Sequence, residues 1–188
     1  MDEISRLVEG ARTGDEVCLV AWIRRSQAEV WRLCAHLVDP GAAEELTQET
    51  FVRAWRALPG YRREASARTW LLSIARRVCA DAIRVRTRRR RLRAAVQSVT
   101  PHDRVPDHAE QVAVADLVAG LDPDRRAAFV LTQIVGMTYA EAALVCGCPL
   151  GTIRSRVARA RADLLDGIDA VDDPALLLRS DRDNAYPP

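Results

Sequence analysis

TYAEAALVCGCPLGTIRSRVARAR, residues 138 to 161, reads as a helix, a sharp turn and a second helix that carries four arginines and no acid. Thr138 with Glu141 three positions on forms a capping box, so the first helix starts at Tyr139 and turns Ala142, Ala143 and Val145 inward. Gly147 ends it, because a turn between Cys146 and Pro149 needs the left-handed backbone that glycine tolerates, and Pro149 suits the first turn of the next helix. At about 100° per residue, Ile153, Val157, Ala160 and Leu164 fall within roughly 60° of one another and make one buried stripe. Gly151, Ser155, Ala158 and Ala162 lie opposite, flanked by Arg154 and Arg159. Small residues ringed by guanidinium groups let a helix sink into a major groove, where arginine bonds bidentately to guanine and grips phosphate. The alternative is a solvated basic helix closing an ordinary bundle. The agreement of capping box, turn glycine and arginine face favours duplex DNA.

The rest of the chain has room for one core or two, with 188 residues of which 48% are hydrophobic. All 28 basic residues are arginine, and the net charge of +2 hides a strong polarity. Residues 84 to 93 hold seven arginines and no acid, while residues 163 to 188 hold seven aspartates against two arginines. Such blocks are interaction surfaces or solvated tails. With no apolar run long enough to span a membrane and no N-terminal signal pattern, the expected location is cytoplasmic, without membrane insertion. The five cysteines are odd in number and scattered. They read as small buried hydrophobes in a reducing compartment, and Cys146 and Cys148 lack the second ligand pair that a zinc site needs. His36, His102 and His108 stand apart, so no nucleophile, base and orienting group can be assembled. No catalytic residue, metal or cofactor is expected, and the chain is not expected to be an enzyme.

Periodicity along the chain is helical almost throughout, and the predicted fold class is all-α: two small helical domains joined by a flexible basic linker. One helix spans about residues 2 to 13. A long one follows Gly14 to about Val38, with Val17, Val20, Ala21, Val30, Leu33 and Leu37 as its apolar side. Asp39 and Pro40 stop it and cap a third helix, AAEELTQETFVRAWRAL, in which Phe51, Trp55 and Leu58 have the spacing of core residues. Pro59 and Gly60 end that helix. Ser66 caps a fourth, which buries Leu71, Ile74, Ala75, Val78 and Ala82 and turns Thr69, Ser73, Arg76, Arg77, Ala80 and Arg84 outward. Periodicity then fails from Arg86 to about Asp107. The expected division is 1–86, a linker over 87–107, a second domain over 108–168 containing Val114, Leu117, Val118, Leu121, the Asp122-Pro123 cap and the helix-turn-helix, and an acidic tail over 169–188.

Three segments taken together resemble the extracytoplasmic-function (ECF) sigma factors of bacteria, within the sigma-70 family, over roughly residues 5 to 166. AEELTQETFVRAW is similar to the segment those proteins press against core RNA polymerase. ASARTWLLSIARR is similar to their reader of the −10 promoter element, and CGCPLGTIRSRVARAR to their reader of the −35 element. The wording around the last is nearest to the actinobacterial sigma-C type. Three such segments in this order, with a linker before the third, are far more specific than any one alone.

The resemblance implies a protein that binds core RNA polymerase, brings it to promoter DNA and opens the −10 element. It assigns polymerase binding to Glu44, Glu45, Gln48 and Glu49; their acidic and amide groups suit a basic partner, but by chemistry alone plain solvation of a surface helix is the favoured reading. It places a pocket for an unstacked base at the loop from Tyr61 to Ser66, so Tyr61, Ala65, Ser66, Thr69 and Trp70 become −10 residues, with Arg76, Arg77 and Arg84 holding phosphates. Tyr61 can stack a base or cover the core edge, and Trp70 can be a plain core aromatic. Trp70 matches the first of two tryptophans found in housekeeping sigma factors, whereas Leu71 replaces the second, which implies weaker melting and a narrow promoter set. In the second domain Arg154, Ser155, Ala158 and Arg159 are the implied base readers, and Thr152, Arg156 and Arg161 face phosphates. The arginine run admits a nucleic-acid contact, a path through the polymerase or plain solvation; the family's linker threads the polymerase cleft, which favours a polyanion.

An anti-sigma factor wedged between the domains is a further partner the resemblance suggests, though no residue marks one, and no homo-oligomer is expected. The acidic tail can alternatively fold back on the arginine faces. Two other classes compete: a stand-alone helix-turn-helix regulator that dimerises on a palindrome, and a helical adaptor or inhibitor whose basic faces serve acidic proteins. A sigma factor differs from both in binding core polymerase and two unlike promoter elements.

Overall fold

The structure is a computed structural model that describes residues 2–96 and 109–172, with side chains over 2–92 and 115–169. The last part of the expected linker and the chain beyond Asp172 lie outside the described residues. Two groups of helices make up the described part. The first comprises α1 (Glu3–Arg12), α2 (Glu16–Leu37), α3 (Pro40–Ala57) and α4 (Ala67–Val96). The second comprises α5 (Ala109–Gly120), α6 (Pro123–Phe129), α7 (Tyr139–Cys146) and α8 (Leu150–Asp172), with a π-helical turn over Val130–Ile134 after α6.

Local chemistry sets the element starts. Asp2, Asp15, Asp39 and Asp122 each accept backbone N–H bonds at the start of α1, α2, α3 and α6. Each carboxylate satisfies donors that the first helical turn leaves unpaired and faces the positive end of the helix dipole. At α7 the capping box is complete: the Glu141 N–H donates to Thr138 Oγ1 at 3.2 Å, and the Thr138 N–H donates to Glu141 Oε2 at 2.9 Å. These bonds hold the Glu141 carboxyl below its ordinary pKa. Gly147 then takes φ 64°, closing α7 with Cys148 N–H bonded to Ala143 O at 3.1 Å. Thr138→Ala is expected to cost about 1 kcal/mol of stability, read as a lowered urea midpoint with unchanged slope.

Trp22 is the centre of the first group. It is fully buried, meets Phe51 edge-on at 5.9 Å and stacks on Trp70 at 6.3 Å. Around it lie Val30, Leu33, Cys34, Ala54, Leu58, Leu71 and Leu72. Val17 and Val20 do not belong to this core; they are 79% and 46% exposed. Trp22, Ser26, Val30, Leu33 and Leu37 fall within about 80° on α2, and the two valines sit on the opposite side. Trp55 also departs from its expected role, being half exposed, while Leu58 is buried and Phe51 partly so.

In the second group Val118, Leu121, Ala127, Ala128, Val130, Leu131, Ala142, Val145, Ile153, Val157 and Ala160 are buried. The stripe expected on α8 is thus the one that packs. One continuous hydrophobic cluster runs through both groups, with α4 lying against α7.

α4 is longer than the periodicity indicates. It continues through the arginine run to Val96, so the expected break at Arg86 is a change of exposure and not of backbone. α8 likewise reaches Asp172, past the expected start of the tail. Among the described residues no helix is long and apolar enough to cross a membrane. No disulfide joins the five cysteines, all of them among the described residues; Cys34 and Cys79 are buried and bring their sulfurs to 3.6 Å within the first core, while Cys18, Cys146 and Cys148 are half-buried.

Candidate nucleic-acid interface

α8 presents its arginines as its angular pattern requires. Arg154, Ser155, Ala158, Arg159 and Arg161 are exposed, Thr152 is half-buried, and Ile153, Val157 and Ala160 face the core. Arg154 and Arg159 have no ion pair or side-chain hydrogen bond among the described residues, so their donors are available to a ligand. Ser155 donates to the Thr152 carbonyl at 3.0 Å, and Arg161 donates to Gln133 Oε1 at 2.7 Å. Arg156 is different. It is half-buried, ion-paired with Asp124 and in contact with Cys148 Sγ at 3.6 Å, which ties α8 to α6 and to the turn.

The loop before α4 forms a second feature. Ser5, Tyr61, Arg63, Glu64, Ala65 and Ser66 line an open hollow of about 420 Å³. Tyr61 is nearly buried; its ring lies 4.9 Å from that of Trp70 and its hydroxyl donates to the Ala65 carbonyl at 2.8 Å. It covers the core edge and also forms a wall of the hollow. Arg63 holds a left-handed backbone, φ 61°, and pairs with Glu9 at 2.5 Å. Arg12 and Arg63 together pull the Glu9 carboxyl down to about 2, so this edge stays ion-paired at neutral pH. Thr69, expected outward, is 2% exposed and shares a 2.9 Å hydrogen bond with Ser66 Oγ. A hydroxyl at that turn is drawn inward by the cap it supports. Trp70 is half-buried between Tyr61 and Trp22.

Along the outer side of α4, Arg77 and Arg84 are exposed, with Arg84 donating to Asp81 at 3.0 Å. Arg76 is half-buried and reaches Asp124 at 3.6 Å. Asp124 therefore takes one arginine from α4 and one from α8, drawing a side chain of each helix to a single carboxylate. Two more links join the helix groups. Arg68 donates to the Val135 carbonyl at 2.9 Å while paired with Glu29 at 2.6 Å, and Arg126 donates to the Leu37 carbonyl at 3.2 Å. Arg68, Asp124, Arg126 and Ser5 carry no sequence signal for these roles, because each depends on chain segments far apart in sequence.

Removing Arg68 leaves the Val135 carbonyl without its charged donor, a bond worth about 1.5–3 kcal/mol. Arg68→Ala is expected to raise the open fraction of the free chain by about ten- to a hundredfold, seen as a larger radius of gyration in small-angle scattering. An unchanged radius would show that apolar contact alone closes the two groups.

On α3, Glu44 and Glu45 are exposed, Gln48 donates to Glu44 at 3.2 Å, and Glu49 accepts from Arg53 at 2.7 Å. Glu45, Gln48 and Glu49 edge a groove of about 620 Å³ between α3 and α4, floored by Leu46, Val52, Val78 and Val85. Arg53 spans it, paired with both Glu49 and Asp81. The α3 edge of the groove is acidic and amide, whereas Arg86 and Arg89 beside Asp81 line the α4 edge, so an apolar floor lies between rims of mixed charge.

Family models match the chain at residues 22–89, described as Sigma-70 region 2, and at residues 111–164, described as Sigma-70, region 4. The chain is 49% identical over 167 residues to the ECF RNA polymerase sigma factor SigC of Mycobacterium tuberculosis, covering 87% of this chain and 90% of the relative. It is 28% identical over 169 residues to the ECF RNA polymerase sigma-E factor of Escherichia coli, covering 82% of this chain and 88% of that one. Among solved structures it resembles the sigma factor RpoE of Bartonella quintana, crystallised with the anti-sigma factor NepR, with TM-score 0.65 and 28% identity over 80% of this chain and 96% of that one. CnrH, solved in complex with the cytosolic domain of CnrY, superposes with TM-score 0.71 and 26% identity over 92% of this chain and all of that one.

Proposed function

Since the chain belongs to the sigma-70 family as an extracytoplasmic-function RNA polymerase sigma factor of the sigma-C type, we propose that α8 reads the −35 element and that α4 with the preceding loop reads the −10 element. It binds core polymerase and directs promoter-specific initiation. The phosphodiester chemistry belongs to the polymerase, and the place of work is the cytoplasm.

The observation that carries the assignment on α8 is its free arginine pair beside a strip of small residues. Arg154 and Arg159 read base edges, Ser155 and Ala158 let the helix approach, and Thr152 and Arg161 position it on phosphates. Arg156 joins them only after leaving Asp124. On the first group, the hollow at Tyr61 and Ser66 receives an unstacked base, with Ala65 on its wall and Trp70 backing Tyr61. Thr69 acts through Ser66, while Arg76, Arg77 and Arg84 bind the backbone. Glu44, Glu45, Gln48 and Glu49 rim the polymerase dock.

The protein works as a monomer. An anti-sigma segment fits the apolar cleft of about 660 Å³ that Trp31, Ala35 and Val38 of the first group share with Val118 and Ile134 of the second. Run-off transcription with purified core polymerase tests the reading. The expected result is a start site absent with core alone; no such transcript from any promoter carrying both elements would overturn it.

A further inference from the structure

The arginine run that follows the −10 region is a helix whose apolar side chains the core leaves largely uncovered. From Ile83 to Val96 α4 contains no acid, and Val85 and Leu92 on this part are 48% and 59% exposed. Arg84 and Arg88, Arg86 and Arg90, and Arg88 and Arg91 stand three or four residues apart, where like charges repel and work against the helix. A helix with this sequence gains stability when an anion lies along it.

The guanidinium groups are not spread evenly around α4. They form two opposed rows: Arg77, Arg84, Arg88 and Arg91 fall within about 60° of one another, while Arg86, Arg89 and Arg90 lie on the other side, where Arg86 pairs with Asp39 and Arg86 and Arg89 line the groove against α3. All four of the first row are exposed, and Arg77, Arg88 and Arg91 have no ion pair or hydrogen-bond partner among the described residues. This first row spans 14 residues, about 21 Å of helix axis, or roughly six base pairs of duplex at 3.4 Å each.

Its flanks differ from those of α8. Where α8 has Gly151, Ser155 and Ala158 beside its arginines, the α4 row from Arg84 onward is bordered by Ile83, Thr87 and Leu92 around a shallow hollow of about 530 Å³, while Ala80 and Asp81 flank its start. Bulky neighbours hold a helix off the groove floor, so these arginines meet phosphates and not base edges. The row begins beside the proposed −10 residues and runs toward the segment that leads to the second helix group.

We infer that Arg77, Arg84, Arg88 and Arg91 form a track for the phosphate backbone of the duplex between the −10 and −35 elements, an interaction that depends on phosphate spacing and not on base sequence. The inference rests on the −10 assignment above. Its new members are Arg88 and Arg91, which lie beyond the base-proximal face.

The experiment uses the full chain assembled with core polymerase. Binding to a promoter is measured across salt concentrations for the wild type, Arg88→Ala/Arg91→Ala and Arg88→Lys/Arg91→Lys. Each assembly is tested on the full promoter and on a template whose duplex stops just upstream of the −10 element. Removing the partners of two phosphates lowers the slope of log K against log salt by about 1.8. The expected drop appears for the alanine variant on the full promoter, is restored by lysine, and vanishes on the shortened template. Changing the bases of the spacer leaves the drop in place. An equal drop on the shortened template, or none on the full one, would overturn the track and assign these arginines to single-stranded DNA, RNA or the polymerase. Absence of any promoter-specific complex with the wild type would instead overturn the −10 assignment on which the track rests.

Discussion

Trp22→Ala is expected to destabilise the first helix group by about 3–5 kcal/mol, the range for removing a fully buried large aromatic. A domain of this size is stable by only about 5–15 kcal/mol, so the variant sits near its unfolding midpoint under conditions where the wild type is folded. The cost is high because Trp22 is at 0% exposure and touches elements that converge from three directions: its own α2, Phe51 of α3 and Trp70 of α4. Collapse around the void is opposed by helices fixed by their own caps. The indole Nε1 has no hydrogen-bond partner, so Trp22→Phe removes an unsatisfied donor along with one ring and is expected to cost less than half as much as alanine. Chemical denaturation followed by circular dichroism checks both. A Trp22→Ala stability within about 1 kcal/mol of wild type would mean that the core does not depend on this residue. Trp70 and Tyr61 lie in sequence against Trp22 and carry the wall of the hollow before α4, so the same substitution is expected to disturb the base pocket proposed there.

Arg154→Ala and Arg159→Ala are each expected to cost about 1–3 kcal/mol of promoter binding and to relax selectivity at the base they face. The two side chains leave α8 on opposite borders of the small-residue strip, five residues apart, so their effects should add and together reach roughly a hundredfold or more. Arg161→Ala provides the contrast. Releasing a phosphate there weakens matched and scrambled −35 sequences alike and lowers the salt slope by about 1. Competition binding by the polymerase complex, between a matched promoter and one with a scrambled −35 element, separates the two outcomes. Unchanged selectivity after Arg154→Ala would remove that residue from the base readers.

What can be read in the sequence follows the range of the interactions that fix each feature. The capping box, the left-handed Gly147 and the buried stripe of α8 depend on residues within one or two helical turns, and all three are found as expected. The exposed pair Arg154 and Arg159 follows from the same geometry. The apolar side of α2 is ambiguous in the sequence because Val17, Leu19, Val20, Ala21, Trp22 and Ile23 place apolar groups on every face. Only packing against α3 and α4 selects Trp22. The length of α4 is hidden because its arginines abolish the apolar period without breaking the backbone. Thr69 turns inward because its hydroxyl meets Ser66, and Arg156 leaves the exposed face because Asp124 stands 32 residues upstream. Contacts between the helix groups leave no local trace at all.

Asp124 makes the closed chain its own competitor for arginine, and this changes how salt acts on it. Added electrolyte weakens the grip on phosphates and also weakens the hold of Asp124 on Arg76 and Arg156, whose side chains remain about one quarter exposed. On the phosphate roles proposed for Arg76 and Arg156, the two effects oppose each other in the free chain, because ions that loosen a DNA complex also release these two groups from Asp124. The free chain therefore answers to ionic strength as if it touched fewer phosphates than it does, and the full dependence emerges only when another protein already holds the halves apart.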